Sequence, residues 1–319
     1  MTRNNPKLCI IVPCYNEQEV LPETSKRLNA FINENADVLS PDSRVLFVDD
    51  GSRDDTWKLI SGLSKSSPLF TGIRLSHNRG HQNALWAGME KARGRFDCVI
   101  TIDADLQDDI NAMRRFVEAY KEGADVVYGV RSKRDTDTFL KRFTAESFYK
   151  LMKLLGAETV FNHADYRLLS ARALDALLAC DEVNLYLRGM VPLIGFNTQT
   201  VTYERNERFA GESKYSIKKM LSLAMQGATS FSVRPIMLVW LLGLMITFIT
   251  LLAGLVLLII PGMQLGFTAF SVWLCCGLIM SSLGLIGEYI GKIYAEAKRR
   301  PRYFIQDTAP EEQDGEPQG

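Results

Sequence analysis

Short apolar runs alternate with helix-length amphipathic segments along residues 7–130. Lys7 to Val12, Val45 to Val48, Gly72 to Leu75, Cys98 to Ile102 and Val126 to Val130 are nearly continuous in apolar residues and read as buried strands. Between them, Val20 to Glu34, Asp54 to Lys65, Gly80 to Lys91 and Ile110 to Glu122 have the length and spacing of helices. Strands apolar on both faces, alternating with helices, predict an α/β fold with a largely parallel sheet covered on both sides. Ligands of such sheets bind beyond the carboxyl ends of the strands, so the residues there carry the chemistry.

The pattern changes after residue 230. From Pro235 to Gly287, 53 consecutive residues include no Asp, Glu, Lys or Arg. As helices, Pro235 to Ile260 and Gly266 to Gly287 would extend about 39 Å and about 33 Å, each enough to cross a hydrocarbon core. Pro261-Gly262-Met263-Gln264-Leu265 interrupts them. A two-helix transmembrane hairpin is predicted, at about 235–260 and 266–290; a pair of buried core helices is the other way to hide such segments. Lys214, Lys218, Lys219 and Arg234 precede the pair, and Lys292, Lys298, Arg299, Arg300 and Arg302 follow it. The connecting loop is uncharged, so the positive-inside rule puts both ends in the cytoplasm. Gly243, Gly254, Gly277 and Gly284 permit close helix packing, and with it a homo-oligomer, without counting subunits.

Charge refines this division. Residues 131–153 hold seven basic and three acidic side chains among aromatic and aliphatic ones. An amphipathic helix at about 136–155, lying on an anionic lipid surface, fits that mixture, and so does a core-facing helix with a solvated basic side. A weaker counterpart covers about 214–230. The expected organisation is therefore a cytoplasmic catalytic domain over 1–230, two membrane helices over 231–295, and a basic then acidic tail over 296–319, of which the part after Arg302 reads as solvated and disordered. Across all 319 residues, 37 Lys and Arg balance 37 Asp and Glu, which argues against a strongly basic nucleic-acid binder. Cys9, Cys14, Cys98, Cys180, Cys275 and Cys276 form no C-x-x-C pair and read as small hydrophobes in a reducing compartment. The N-terminus runs into a short strand without the features of a signal peptide.

Acidic residues collect at the predicted strand ends. The first strand ends in Pro13-Cys14-Tyr15-Asn16-Glu17, the second in Asp49-Asp50-Gly51-Ser52 and the fourth in Asp103-Ala104-Asp105-Leu106-Gln107. Alternation along the fourth points Asp103 and Asp105 the same way, with the Gln107 oxygen two residues on. Converging carboxylates repel one another, so they hold a divalent cation or each has its own hydrogen-bonding task; the cation is the simpler account. Hard oxygen ligands suit Mg²⁺ or Mn²⁺. Asp49 to Ser52 also reads as a plain strand-to-helix turn, since Ser52 and Asp54 are good N-caps. No P-loop and no G-x-G-x-x-G is present, against an NTPase or a dinucleotide-dependent oxidoreductase.

In this order, Ile-Val-Pro-Cys-Tyr-Asn-Glu (11–17), Val-Asp-Asp-Gly-Ser (48–52) and Asp-Ala-Asp-Leu-Gln (103–107) resemble the motifs of family 2 glycosyltransferases with the GT-A fold. Gly129-Val130-Arg131, Asp165-Tyr166-Arg167 and the segment from Arg205 to Tyr215 resemble the branch that moves a sugar from a nucleotide onto a polyprenyl phosphate. That branch includes dolichol-phosphate mannose synthases and bactoprenol glucosyltransferases, and the hairpin matches the bactoprenol type. The resemblance covers residue 7 to about 300.

It implies a membrane-anchored enzyme that passes one hexose, with inversion, from a nucleotide sugar to undecaprenyl phosphate at the cytoplasmic face of a bacterial plasma membrane. UDP-glucose is the first choice of donor, ahead of UDP-N-acetylglucosamine and GDP-mannose. By the same resemblance, Pro13, Tyr15 and Glu17 surround the base and ribose, Asp50 accepts a hydrogen bond from the base, and Asp49 supports the turn. Asp103 and Ala104 line the nucleotide site, and Asp103, Asp105 and Gln107 hold Mg²⁺ or Mn²⁺. Arg131, Arg205, Arg208 and Lys214 clamp the lipid phosphate, a task Arg142 can share; a basic face drawn only to lipid headgroups is the alternative. Asp165 is a base or an orienting carboxylate, with orientation favoured. The stretch His77 to Gln82 departs from the relatives, and neither His81 nor His163 is assigned a metal. No Q-x-x-R-W occurs, so repeated chain extension is not expected. The rival class is a non-catalytic nucleotide-sugar-binding scaffold, against which the intact 103–107 and 205–214 segments count.

Overall fold

The computed structural model describes residues 4–132, 163–204 except 181 and 184, the helical positions 236, 239–243, 245, 246, 248, 249 and 252, and residues 264–310. The chain forms two compact units. One comprises Met1–Phe139, Thr159–Lys214 and Pro301–Gly319, the other Leu140–Glu158 and Tyr215–Arg300.

The first unit opens with the expected alternation: β1 (Leu8–Cys14), α1 (Leu21–Glu34), β2 (Arg44–Asp49), α2 (Thr56–Ser66), β3 (Phe70–Leu75), α3 (His81–Ala92), β4 (Cys98–Thr101), α4 (Ala112–Lys121) and β5 (Val126–Arg131). Then come β6 (His163–Ser170), α5 (Ala171–Leu178), α6 (Leu187–Leu193) and β7 (Thr198–Tyr203), and a last strand, β8 (Ile305–Ala309). The eight strands lie in the order β7-β5-β6-β4-β1-β2-β3-β8. β1 runs parallel to β2 and β4, β2 to β3, and β5 to β7, while β6 is antiparallel to β4 and β5, and β8 to β3. The two reversals about β6 return β5 and β7 to the direction of β4. Consequently β1, β2, β3, β4, β5 and β7 all end at one edge of the sheet, and β6 begins there.

Burial explains why these runs are strands. Every residue of β1 is buried, and all of β2 except Arg44. Such two-sided burial needs helices on both faces. Leu8, Ile10 and Val12 share a core with Leu21, Leu28 and Phe31 of α1 and with Met113, Phe116 and Val117 of α4. On the opposite face α3 approaches so closely that a Cβ on Gly88 would sit 2.4 Å from Ile11 Cγ2 and 3.0 Å from Val48 Cγ2. Pro22 in the first turn starts α1 at little cost, and the Ser170 hydroxyl caps α5 by accepting from the Ala173 amide at 3.2 Å.

Three expectations change. The tail is not wholly solvated, because Ile305–Ala309 pairs with β3. The exposed edge of β3 is a row of unpaired backbone groups, and a short strand ending in the buried Ala309 satisfies it. β6 and β7 were not anticipated: Asp165 and Arg167 interrupt the apolar pattern of one, and the other is a half-exposed edge strand of Thr and Gln. In the second unit, α7 (Gln264–Lys298) starts inside the expected break and runs past 290, so the helix does not stop where its apolar stretch does. Within it, Leu274–Lys298 is long and apolar enough to cross a membrane. Ile279, Met280, Leu283, Ile286 and Ile290 are exposed along it. The remainder of the expected first span and both amphipathic segments lie outside the described residues.

Because Ile11 and Val48 are β-branched and held in strands, they have little room to yield at α3. Gly88→Ala is expected to cost about 1–3 kcal/mol through overpacking, read as a lower melting temperature of the detergent-solubilised protein.

Candidate active site

The edge where the parallel strands end collects the loops 13–18, 49–56, 76–81 and 102–109, together with Asp165 near the start of β6. The first two loops are laced together. Asn16 N–H donates to Ser52 Oγ at 2.9 Å, Glu17 N–H to Thr56 Oγ1 at 2.9 Å, Arg53 N–H to Asn16 Oδ1 at 2.9 Å and Asp55 N–H to Gln18 Oε1 at 3.0 Å. Asn16 itself adopts a positive φ of 54°, a left-handed conformation that Asn tolerates better than most residues. Pro13 is buried, while Tyr15 and Glu17 are half-buried beside this seam.

Asp49 and Asp50 have different surroundings. Asp49 is wholly buried; its Oδ1 accepts from Ser52 N–H at 3.1 Å and its Oδ2 faces Arg74 Nε at 3.3 Å. Asp50 accepts from the amides of Arg79 and Gly80 at 2.7 and 2.9 Å, one on each oxygen. Both hydrogen bonds hold the 76–81 loop; each carboxylate oxygen keeps a second lone pair for a ligand. Burial raises the pKa of both acids, against these partners. Gly51 has a φ of +66°, and a Cβ there would lie 2.6 Å from the His77 carbonyl carbon. Only glycine lets the loops close this way.

Beyond β4, burial alternates with a period of two. Ala104, Leu106 and Asp108 are buried, whereas Asp103, Asp105 and Gln107 are each half-buried. The stretch is tightly held: Thr24 Oγ1 donates to Ala104 O at 2.9 Å, Gln107 N–H to Asp105 Oδ1 at 3.1 Å, and Leu106 sits at a positive φ of 59°. For a buried leucine that conformation is unfavourable, and such strain gathers at functional sites. Burial, with the carboxylates of Asp108, Asp165 and Asp105, pushes Asp103 above its ordinary pKa, against the pull of His81. Among the described residues no three His, Cys, Asp or Glu side chains are grouped so as to hold a metal by themselves. Two half-buried carboxylates and an amide oxygen within five residues are hard oxygen donors of the kind that suit a cation sharing its shell with phosphate and water.

Asp165 centres the ionic network. Its Oδ1 receives Arg167 at 2.5 Å and Arg188 Nε at 3.3 Å; its Oδ2 receives a second Arg188 nitrogen at 3.1 Å. His81 Nε2, at the first residue of α3, lies 3.7 Å from Asp165 and 3.5 Å from Asp103. Burial alone would raise the pKa of Asp165; Arg167, Arg188 and His81 outweigh it and hold the carboxyl well below its usual range. Arg167 is itself buried and also donates to the Leu187 carbonyl at 3.2 Å. Arg131 belongs to a neighbouring cluster. It lies 3.3 Å from Asp108 and 3.4 Å from the Tyr203 hydroxyl, and that hydroxyl donates to Asp108 at 2.6 Å. Tyr203 also packs edge-on against Tyr166, with ring centroids 5.2 Å apart.

The described candidates Pro13, Tyr15, Glu17, Asp49, Asp50, Asp103, Ala104, Asp105, Gln107, Arg131 and Asp165 therefore gather along one edge. Arg205, Arg208, Lys214 and Arg142 lie outside the described residues. Sequence reasoning considered His81 without giving it a role and passed over Asp108, Arg188 and Tyr203. The motif-poor Leu187–Leu193 gives no signal for Arg188, whereas the unusual basic stretch before α3 did mark His81 as out of the ordinary. A cavity of about 540 Å³, lined by Lys7, Arg44, Lys91, Arg95 and Phe96 among others, opens where the strands begin, away from all of these acids.

Asp165→Asn leaves Arg167 buried without its counter-charge, so a loss of about 3–5 kcal/mol is expected. Because the folded pKa is depressed, this contribution is complete above the unfolded value of about 3.9 and drains as pH falls below it. The melting temperature of the wild type should thus approach that of the variant only in acid, which paired melts from pH 7 to 3 would read.

The family model described as "Glycosyl transferase family 2" matches residues 9–178. "Uncharacterized glycosyltransferase YkoT" of Bacillus subtilis (strain 168) is 49% identical over 312 residues, 96% of this chain and 93% of that protein. "Bactoprenol glucosyl transferase" of Shigella phage SfX is 37% identical over 312 residues, 94% of this chain and 98% of its own length. Among solved structures, the mannosyltransferase PcManGT from Pyrobaculum calidifontis, in complex with GDP-Man and Mn²⁺, superposes with a TM-score of 0.50 at 16% identity, covering 92% of this chain and 87% of that one. That likeness shows a shared GT-A-like fold. By the family match and by identity over nearly its whole length, this chain belongs to glycosyl transferase family 2.

Proposed function

We propose that this glycosyltransferase transfers one hexose, glucose from UDP-glucose in the first instance, to a polyprenyl phosphate such as undecaprenyl phosphate at the cytoplasmic face of the membrane. One observation carries the reading: Asp103 and Asp105 share a sheet edge with the Asp165–Arg167–Arg188 cluster, and β7 ends there, two residues before Arg205. Tyr203, the last residue of β7, binds Asp108 through its hydroxyl. The named activity of the phage relative, matched along nearly its full length, supports the acceptor class.

An oxygen of the lipid phosphate attacks the anomeric carbon. The bond from that carbon to the donor's diphosphate breaks, the nucleoside diphosphate leaves with the electron pair, and the anomeric configuration inverts. A phosphate monoester has a second pKa of about 6, so its oxygen is nucleophilic near neutral pH without a general base. Asp165, held ionised by two arginines, is a weak proton acceptor and suits orientation: it fixes the guanidinium of Arg188 beside the reacting groups. Arg131, Arg205, Arg208 and Lys214 offset the repulsion between two anionic partners, with Arg142 available to help. Asp103, Asp105 and Gln107 would hold Mg²⁺ or Mn²⁺, which supplies positive charge for the departing diphosphate. Pro13, Tyr15, Glu17, Asp49, Asp50 and Ala104 frame the nucleotide.

Topology supports the two-helix anchor. β7 and β8 belong to one sheet, so a chain that crosses the bilayer through Leu274–Lys298 needs a second crossing between them. The uncharged stretch 235–260 is long enough to provide it.

In detergent, with radiolabelled UDP-glucose and a short polyprenyl phosphate, lipid-linked product should form with Mg²⁺ or Mn²⁺ and cease with EDTA. Asp105→Ala should reduce it by about 100-fold or more. Product that survives this substitution overturns the site assignment. Absence of product with UDP-glucose, UDP-N-acetylglucosamine and GDP-mannose alike would favour a binding scaffold.

A further inference from the structure

The segment that follows α7 is built into the first unit around β3 and α3. β8 pairs with β3, and Ser76 N–H donates to the Phe304 carbonyl at 2.9 Å, which carries the contact up to the start of the 76–81 loop. The Arg302 guanidinium lies 4.7 Å from the centroid of the Trp86 ring in α3, and its Nε donates to the Glu182 carbonyl at 2.9 Å. The Tyr303 hydroxyl is hydrogen-bonded to the Glu90 carboxylate, also in α3. Asp307 lies 3.7 Å from Arg74, whose guanidinium reaches Asp49 at 3.3 Å and the Ser52 carbonyl at 3.3 Å. The segment 302–309 therefore touches the strand before the loop, the helix after it, and the ion pair under the neighbouring turn.

That loop matters to the site. Its amides at Arg79 and Gly80 bind Asp50, its backbone lies against Gly51, and α3 begins with His81 between Asp103 and Asp165. Ser76 fixes one end through Phe304, and Trp86 and Glu90 fix the other through Arg302 and Tyr303. A purely structural cap on an edge strand would need only the backbone ladder. The side-chain contacts instead run toward the loop.

We propose that Arg302, Tyr303 and Asp307 are positioning residues for donor binding: the returning segment holds the 76–81 loop and, through Arg74, the Asp49–Ser52 turn in the arrangement that receives the nucleotide. The inference rests on the donor site proposed above. It makes the nucleotide pocket complete only once the chain has passed through α7 and re-entered the sheet, although all of the pocket's own residues precede residue 110.

The test uses the full-length protein in detergent, with Arg302→Ala and Asp307→Asn. Hydrogen exchange at the Arg79 and Gly80 amides should quicken by about tenfold in the first, which loses a stacked cation and a hydrogen bond. In the second it should quicken by about threefold, the worth of a partly exposed ion pair. The KM for UDP-glucose should rise by similar factors, while the KM for polyprenyl phosphate and exchange in β1 stay unchanged. Tyr303→Phe, which keeps the ring and removes one hydroxyl bond, is the mildest variant, and the same direction is expected. Unchanged exchange at residues 79 and 80 in all three variants overturns the proposal, as does a raised acceptor KM with the donor KM unmoved. The exchange measurement needs no turnover. A wrong donor or acceptor would therefore abolish product in the wild type and leave the loop effect intact.

Discussion

Strand direction is the constraint on which everything else depends. Six parallel strands deliver their carboxyl ends to one edge, and the antiparallel β6 delivers its amino end to the same place. Acidic residues that are far apart in the chain, Asp49, Asp50, Asp103, Asp105, Asp108 and Asp165, become neighbours as a result. Their repulsion has to be answered locally. Arg74 faces Asp49, two loop amides bind Asp50, Tyr203 and Arg131 engage Asp108, and Arg167 and Arg188 grip Asp165. The accessible pair, Asp103 and Asp105, is the one for which a divalent cation is the natural complement.

This division separates acids that build the site from acids offered to a ligand. Asp49 is wholly enclosed and holds the Gly51–Ser52 turn. Asp165 is charged, buried and doubly paired, and anchors the guanidinium groups of Arg167 and Arg188. Under the proposed reaction the acceptor is itself an anion, and arginines whose geometry is set by a carboxylate behind them would draw in and aim its phosphate. Among the described residues, two of the three non-glycine positions with positive φ, Asn16 and Leu106, lie in these loops, in segments tied on both sides; the third, Arg299, follows α7.

Much of this was legible in the chain because buried parallel strands and the helices between them have strong periodic patterns. β1 to β5, α1 to α4 and the acids at the strand ends followed directly from apolar runs broken by Asp, Gly and Ser. The partial exposure of Asp103, Asp105 and Gln107 between buried neighbours matches the alternation read from the sequence. β6 and β7 did not, since ionic residues interrupt one and the other is a polar edge strand. β8 was hidden in a tail whose acidic composition outweighed the short run Tyr303-Phe304-Ile305, and pairing with a distant edge leaves no local signature. Arg188 and His81 owe their place to tertiary contacts with Asp165, 23 and 84 residues away, which no spacing rule encodes.

The most direct measurement is a cryo-EM map of the full chain in lipid nanodiscs with UDP-glucose, Mn²⁺ and a polyprenyl phosphate analogue. Expected is a cation and diphosphate against Asp103 and Asp105, with Arg205 and Arg208 turned toward the acceptor phosphate near Arg188. Nucleotide density in the basic cavity of Lys7, Arg44 and Arg95 at the other edge, or Arg205 and Arg208 facing away from the acids, would contradict it.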